Sequence, residues 1–162
     1  MKVITLCLLL LAATSLSNHL SAQDYKLAMG IRFSTATPTL NNSFSVKYFM
    51  NETDAVEGLI SFGSGRFGLG GLYEKHQLIG ATPALNWFYG GGAYLGFESH
   101  TDANHIKSNT TFFGPTGVVG LDYKFQNAPI NLSLDWKPEL DIVPSINFVP
   151  DAFALTARFT FK

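Results

Sequence analysis

The chain has 162 residues, enough for one domain, and a net charge of −1. Charged residues make up only 14% of it, against about 25% in ordinary soluble domains. The absence of a basic cluster excludes a nucleic-acid binder that neutralises phosphates, and the 46% content of apolar residues excludes a disordered chain.

The first segment has the pattern of a secretory signal peptide. Lys2 is followed by an apolar stretch over residues 3–13, broken by a single threonine, and the small residue Ala22 stands at the expected cleavage point. The stretch is too short to cross a bilayer, which requires about 20 residues. We predict a signal peptide over residues 1–22 and one folded domain over residues 23–162. Cleavage would remove the single cysteine, so the exported domain has to fold without disulfides.

The rest of the chain alternates apolar and polar residues with a period of two, which is typical of strands. In the first strand, for example, Leu27, Met29 and Ile31 alternate with small or charged residues. Eight strands are predicted, near residues 25–34, 43–50, 55–64, 67–76, 85–98, 113–125, 130–137 and 153–162. Their lengths suit tilted strands that cross a bilayer.

Alternation alone does not decide which face meets water, because a soluble sandwich or calyx alternates as well. The apolar positions are aromatic at strand ends and aliphatic or small in the middle, as where Tyr25 and Phe33 bracket Met29. This arrangement is typical of the aromatic girdles of membrane barrels. The polar positions carry almost all in-strand charges, close to balance, as expected of an interior in which charges pair. The apolar face is therefore predicted to contact lipid.

These features predict an all-β fold, an eight-stranded antiparallel up-and-down transmembrane β-barrel. Closure removes the exposed edges at which such aromatic, weakly charged strands would aggregate. An eight-stranded barrel is just wide enough for side chains to fill, so charged residues of the polar face are predicted to form a structural polar core in the lumen. These residues are Arg32, Glu57, Glu74, Asp122, Lys124, Asp135 and Arg158.

The lengths of the connections predict which end of the barrel faces the periplasm. If Tyr25 starts on the periplasmic side, the long connections 99–112 and 138–151 fall outside the cell, together with loop 35–42. The short turns then face the periplasm, which is the usual asymmetry of such barrels. His76 is predicted to lie at the membrane interface near the periplasmic end.

The mature chain resembles a known family over its whole length. The resemblance is carried by residues 20–23, 71–74, 86–93, 120–125, 132–138 and 157–161. On these segments the chain is similar to the small eight-stranded outer-membrane β-barrels of Gram-negative bacteria, the OmpA/OmpX-like type. The resemblance implies an outer-membrane location among lipopolysaccharide and insertion by the barrel-insertion machinery. Members include adhesins, structural barrels, narrow pores and lipid-modifying enzymes, so membership alone does not assign an activity.

Two glycine-rich segments imitate nucleotide-binding motifs. Gly63-Ser64-Gly65-Arg66-Phe67-Gly68 matches G-x-G-x-x-G, but the helix that a dinucleotide site requires does not follow, so a β-hairpin is predicted. The run Gly90-Gly91-Gly92 is interpreted as relief of crowding where large side chains such as Phe88 and Tyr94 project inward.

The segment most like an enzyme site is Glu98-Ser99-His100-Thr101-Asp102. Adjacency in a loop does not orient a nucleophile against its base, so we interpret it as a solvated loop. His100 and His105 have no third metal ligand at a usable spacing. No catalytic residue, metal site or cofactor is predicted.

The sequence therefore predicts a non-enzymatic integral outer-membrane protein with a structural or surface-interaction role. A surface ligand would bind loops 99–112 and 138–151, and no nucleic acid is involved. Three alternatives stay open: a narrow pore through the same interior, a lipid A-modifying outer-membrane enzyme, and a soluble periplasmic ligand-binding calyx. Membrane fractionation separates the calyx from the others.

Overall fold

A computed structural model of the protein describes residues 25–35, 39–63, 65–80, 84–101, 107–150 and 152–162. The predicted signal peptide, residues 1–22, lies outside the described residues. The described residues form ten strands: β1 (Leu27–Ser34), β2 (Ser43–Phe49), β3 (Asp54–Gly63), β4 (Arg66–Leu78), β5 (Leu85–Thr101), β6 (Lys107–Lys124), β7 (Ile130–Trp136), β8 (Glu139–Asp141), β9 (Asn147–Val149) and β10 (Phe153–Phe161). Among them no helix is long and apolar enough to span a membrane.

Eight of these strands, β1 to β7 and β10, close into one antiparallel barrel. Each pairs with its neighbour in the chain, β10 pairs with both β7 and β1, and β5 pairs with β6 to complete the ring. The short strands β8 and β9 form a hairpin between β7 and β10, and β8 also pairs with β6 at Thr116. The predicted fold class, an all-β eight-stranded antiparallel barrel, is confirmed.

The two ends of the barrel differ in construction. We call the end that holds the chain termini of the barrel, Tyr25 and Lys162, the terminal rim, and the opposite end the loop rim. Two barrel strands are longer than predicted at the loop rim. Strand β5 reaches Thr101 and β6 starts at Lys107, whereas the predicted strands were 85–98 and 113–125. The predicted loop 99–112 is thus largely a two-stranded arm, and loop 138–151 contains β8 and β9. Beyond the apolar band both faces of the arm are polar, so the alternation that marks a strand disappears there.

The apolar face of the barrel points outward, as predicted. Ile31, Leu134 and Leu155 lie near the middle of their strands and are 52%, 55% and 51% exposed. Aromatic rings flank this band, for instance Phe113 towards the loop rim and Tyr123 towards the terminal rim on β6. The strand between these rings rises about 25 Å at a tilt of about 40°, the height of the apolar band of a membrane barrel.

The turn between β3 and β4 forms the predicted hairpin. Gly63 pairs with Arg66 across the turn. Gly65 has a φ of 72°, in the left-handed region that glycine adopts without strain. The G-x-G-x-x-G segment is accordingly followed by a strand, so it lacks the helix N-terminus that would receive a pyrophosphate.

Gly90 and Gly92 occupy inward positions on β5, but the reason for glycine differs from the predicted one. A Cβ atom at these positions would overlap the carbonyl oxygens of Tyr73 and Gly71 on β4 rather than large lumen side chains. The close approach of two strand backbones therefore requires glycine. Both causes operate at Gly120, where a Cβ would lie 2.5 Å from the carbonyl oxygen of Leu134 and 2.7 Å from the ring of Phe88.

Gly92→Ala is expected to destabilise the barrel by about 1–3 kcal/mol, because the backbone of β4 would have to move away. Gly71 on the facing strand β4, which pairs with Ala93, provides a control on the outward face, since a Cβ there meets nothing within 4 Å. Urea unfolding of both variants in phospholipid vesicles tests this expectation. Equal stability of Gly92→Ala and Gly71→Ala would contradict it.

Candidate functional site

The lumen near the terminal rim contains a buried cluster of charged side chains built around Arg158. Its Nε and Nη1 donate hydrogen bonds to the hydroxyls of Ser45 and Ser133, both at 2.7 Å. Its Nη2 donates to the carboxylate of Glu57. Three strands, β2, β3 and β7, thus supply partners to one guanidinium on β10, whose five N–H donors suit it to such a position.

Lys47 forms the second centre of the same cluster. Its Nζ lies 2.6 Å from a carboxylate oxygen of Glu74, 3.7 Å from one of Glu57 and 4.0 Å from one of Asp122. The Nε2 atom of His76 lies 3.0 Å from the same oxygen of Glu74. Every one of these side chains is buried. Isolated buried charges are very costly, so this mutual pairing is what allows them to lie inside the barrel.

A second ion pair lies closer to the loop rim. Arg32 on β1 and Asp135 on β7 are 2.5 Å apart and both buried. Arg32 also donates to the backbone oxygen of Leu40, 3.4 Å away. Further along, Lys137 pairs with Glu139, which accepts a hydrogen bond from the backbone N–H of Thr39 at 2.9 Å.

The structure brings most of the predicted lumen residues into these groups, but not all of them. Six are buried inside the barrel: Arg32, Glu57, Glu74, Asp122, Asp135 and Arg158. Lys124 instead lies half-buried at the terminal rim, where its Nζ donates to the backbone oxygens of Phe125 and Ala128 at 2.6 Å and 2.8 Å. It is the last residue of β6, so its long side chain reaches the turn rather than the cluster.

Two members of the charged cluster were not among the predicted site residues. Lys47 stands at a polar position in the alternating pattern of β2, and this position could have predicted that its side chain faces the lumen. His76 was predicted to be interfacial, which is wrong, because its side chain is fully buried. It follows Glu74 by two residues, and the strand continues to Leu78, so both side chains point into the lumen.

An apolar cluster fills the lumen on the side of β3 to β6. Its members are Leu40, Leu59, Leu72, Phe88, Tyr94 and Val118. Leu59 and Leu72 stand two residues closer to the loop rim than Glu57 and Glu74 on the same strands. Leu40 comes from the connection after β1 and folds into the barrel, where it is fully buried. Loop 35–42 was predicted as exposed, and residues 36–38 of it lie outside the described residues. The prediction missed that Leu40, in the described part, fills the lumen.

The enzyme-like segment is the end of β5 rather than a solvated loop. Glu98 lies at an inward position and pairs with Arg66 at 2.8 Å. Successive residues of a strand point to opposite faces, so Ser99 and His100 diverge and are not aligned as nucleophile and base. Asp102 and His105 lie outside the described residues.

Comparison with known proteins supports the fold. The chain resembles the N-terminal β-barrel domain of Pseudomonas aeruginosa OprF with a TM-score of 0.63 and 11% identity, over 85% of this chain and 98% of that one. It also resembles Neisserial surface protein A (NspA), with a TM-score of 0.54 and 13% identity, over 86% and 98% of the two chains. No family model and no curated protein sequence matches.

The chain has the fold of the small outer-membrane β-barrels. The predicted resemblance to eight-stranded outer-membrane barrels is confirmed at the level of fold. Within this barrel the lumen holds paired charges and an apolar cluster, and the loop rim holds the arm and the β8–β9 hairpin.

Proposed function

We propose that the protein is a non-enzymatic integral outer-membrane barrel that does not conduct ions and that presents its loop rim to a surface ligand. The packed lumen is the observation that carries this proposal. Large inward side chains on all sides, including Arg32, Lys47, Phe88 and Tyr94, are fully buried. A pore needs a continuous hydrated path, and the buried apolar cluster supports the proposal because its side chains would interrupt such a path.

We further propose that the barrel lies in the outer membrane, exported by the signal peptide 1–22, with its terminal rim in the periplasm. The outward apolar band and its aromatic flanks support insertion next to lipopolysaccharide and phospholipid. The long arm and the β8–β9 hairpin at the loop rim support the proposed orientation, because outer loops of such barrels are the longer ones. Insertion would depend on the barrel-insertion machinery.

Membrane fractionation tests location and fold together. The protein is expected in the outer-membrane fraction, to resist carbonate extraction, and to migrate differently on SDS gels before and after boiling. Recovery as a soluble periplasmic monomer without detergent would contradict the proposal and favour the calyx.

Planar-bilayer recordings test whether the lumen is closed. The wild-type barrel is expected to show no single-channel conductance, since buried side chains fill its interior. Phe88→Ala combined with Leu40→Ala truncates two members of the apolar cluster and serves as a positive comparison, in which openings are expected. Steady conductance through the wild-type barrel would favour the narrow pore instead.

The loop rim supplies the surfaces for a ligand. The arm carries polar residues such as Asn109 and Thr111. The tip of the β8–β9 hairpin exposes Ile142 and Ile146, with Ile146 82% exposed. Exposed apolar side chains at a loop tip are typical of interaction sites. These segments fall within 99–112 and 138–151, which we propose as the ligand-binding loops.

A further inference from the structure

The wall of the barrel steps down from the arm to the hairpin between β3 and β4. Strand β4 begins at Arg66, which pairs with Glu98, whereas β5 continues to Thr101 and its partner β6 starts at Lys107. The arm therefore rises above its neighbour on one side. We call the step between them the rim notch and define it by Arg66, Phe67, Phe97 and Glu98.

Two concavities meet at the rim notch. The inner one has a volume of about 130 Å³ and extends into the mouth of the barrel as far as Glu139 and Asp141. The outer one has a volume of about 510 Å³ and runs along the arm past Thr111. All four residues of the rim notch line both concavities. The notch thus connects the mouth of the barrel with its outer, lipid-facing wall.

The outer half of the notch is aromatic. Phe67 and Phe97 occupy outward positions, stack with ring centroids 6.5 Å apart, and continue to Phe62, whose ring lies 5.5 Å from that of Phe67. This surface borders the apolar band, so it suits a hydrocarbon chain that enters from the bilayer.

The inner half of the notch has a net negative charge. Glu98, Glu139 and Asp141 line it, while Arg66 and the buried Lys137 are the cations paired with two of these carboxylates. Asp141 has no cationic partner among the described residues and accepts hydrogen bonds from Tyr94 and Asn147 at 2.6 Å and 3.2 Å. The ring of Phe112 adds a π surface beside these groups. A carboxylate next to aromatic rings attracts an organic cation.

We propose that the rim notch binds a single-chain amphiphile with a cationic head group. The head lies in the inner concavity near Asp141 and Phe112, and the chain crosses Phe67 and Phe97 towards the bilayer. The proposal names the chemical class of the ligand in the surface-binding role proposed above. It rests on that role, because the hydrocarbon chain of the amphiphile has to lie in a membrane that reaches the loop rim.

Binding is tested with the full barrel in phosphatidylcholine nanodiscs. Dodecyltrimethylammonium and dodecyl sulfate are added below their micellar concentrations, and binding in excess of that to empty nanodiscs is measured by equilibrium dialysis. We expect saturable binding of the cationic amphiphile and none of the anionic one. Phe97→Ala is expected to weaken binding about tenfold, whereas Phe153→Ala, an exposed ring at the same rim outside the notch, changes it less than twofold.

Charge variants test the sign of the interaction. Glu98→Gln and Asp141→Asn each remove a negative charge and are expected to weaken binding of the cation about fivefold. Arg66→Gln removes the exposed cation of the notch and is expected to strengthen binding of the cationic amphiphile. An unchanged affinity in all three variants, or preferential binding of dodecyl sulfate, would overturn the proposal.

The experiments distinguish failure of the ligand proposal from failure of the proposed outer-membrane role. A barrel that inserts and shifts on boiling, yet binds neither amphiphile above the empty-disc background, refutes the ligand and leaves the outer-membrane role intact. A chain that does not insert refutes the outer-membrane role itself.

Discussion

Arg158→Leu is expected to lower the free energy of unfolding by about 3–5 kcal/mol, because it leaves the carboxylate of Glu57 buried without its strongest partner. The hydroxyls of Ser45 and Ser133 also lose their donor. Urea unfolding in phospholipid vesicles, followed by tryptophan fluorescence and by the shift of the band on unboiled gels, measures the loss.

Two comparisons isolate the contribution of the charge. Adding Glu57→Leu to Arg158→Leu removes both partners and is expected to recover part of the stability, since no unpaired carboxylate stays behind. Arg66→Gln breaks an ion pair at the loop rim whose arginine is 46% exposed, and should cost less than about 1 kcal/mol. A loss at Arg158 no larger than that at Arg66 would show that the charged cluster is not a structural core.

The strands of the barrel were predictable because one physical cause, the lipid that we propose outside and the packed side chains inside, acts on every residue of the apolar band. The period-2 pattern of β10, where Leu155 and Ala157 face outward and Thr156 and Arg158 inward, records this cause directly. The same reasoning assigned seven charged residues to the lumen, and six of them are buried there. It did not identify their partners, since pairing depends on strand register, which a pattern of alternation does not contain.

The parts that the sequence did not predict lie where that cause stops acting. Beyond the band the arm meets water on both faces, so its strands were read as a loop. Leu40 is an isolated apolar residue in a connection, and its burial in the lumen depends on the cavity beneath it rather than on any local pattern. His76 was placed at the interface because it stands at the predicted end of its strand, whereas its position two residues after Glu74 on a longer strand decides its orientation.

Leu155→Lys is expected to destabilise the barrel in a bilayer by about 2–4 kcal/mol, because the ammonium would lie near the midplane of the lipid. Leu155 is exposed on the outer wall, between its cross-strand neighbours Phe33 and Leu134. Thr111→Lys, on the outward face of β6 above the apolar band, is the control, with an expected cost below about 1 kcal/mol since the side chain reaches water. Equal costs would contradict a membrane that spans this band.

Stability alone does not distinguish lipid from a protein interior, because a lysine in a soluble core is also costly. Quenching by lipids with brominated acyl chains makes the distinction. In a background with Trp87→Phe and Trp136→Phe, a tryptophan is introduced by Leu155→Trp on the outer wall or by Phe88→Trp in the lumen, where the replaced ring is fully buried. The first is expected to be quenched strongly and the second weakly. The reverse result would mean that the apolar face encloses a ligand cavity and that the wall of the barrel faces water.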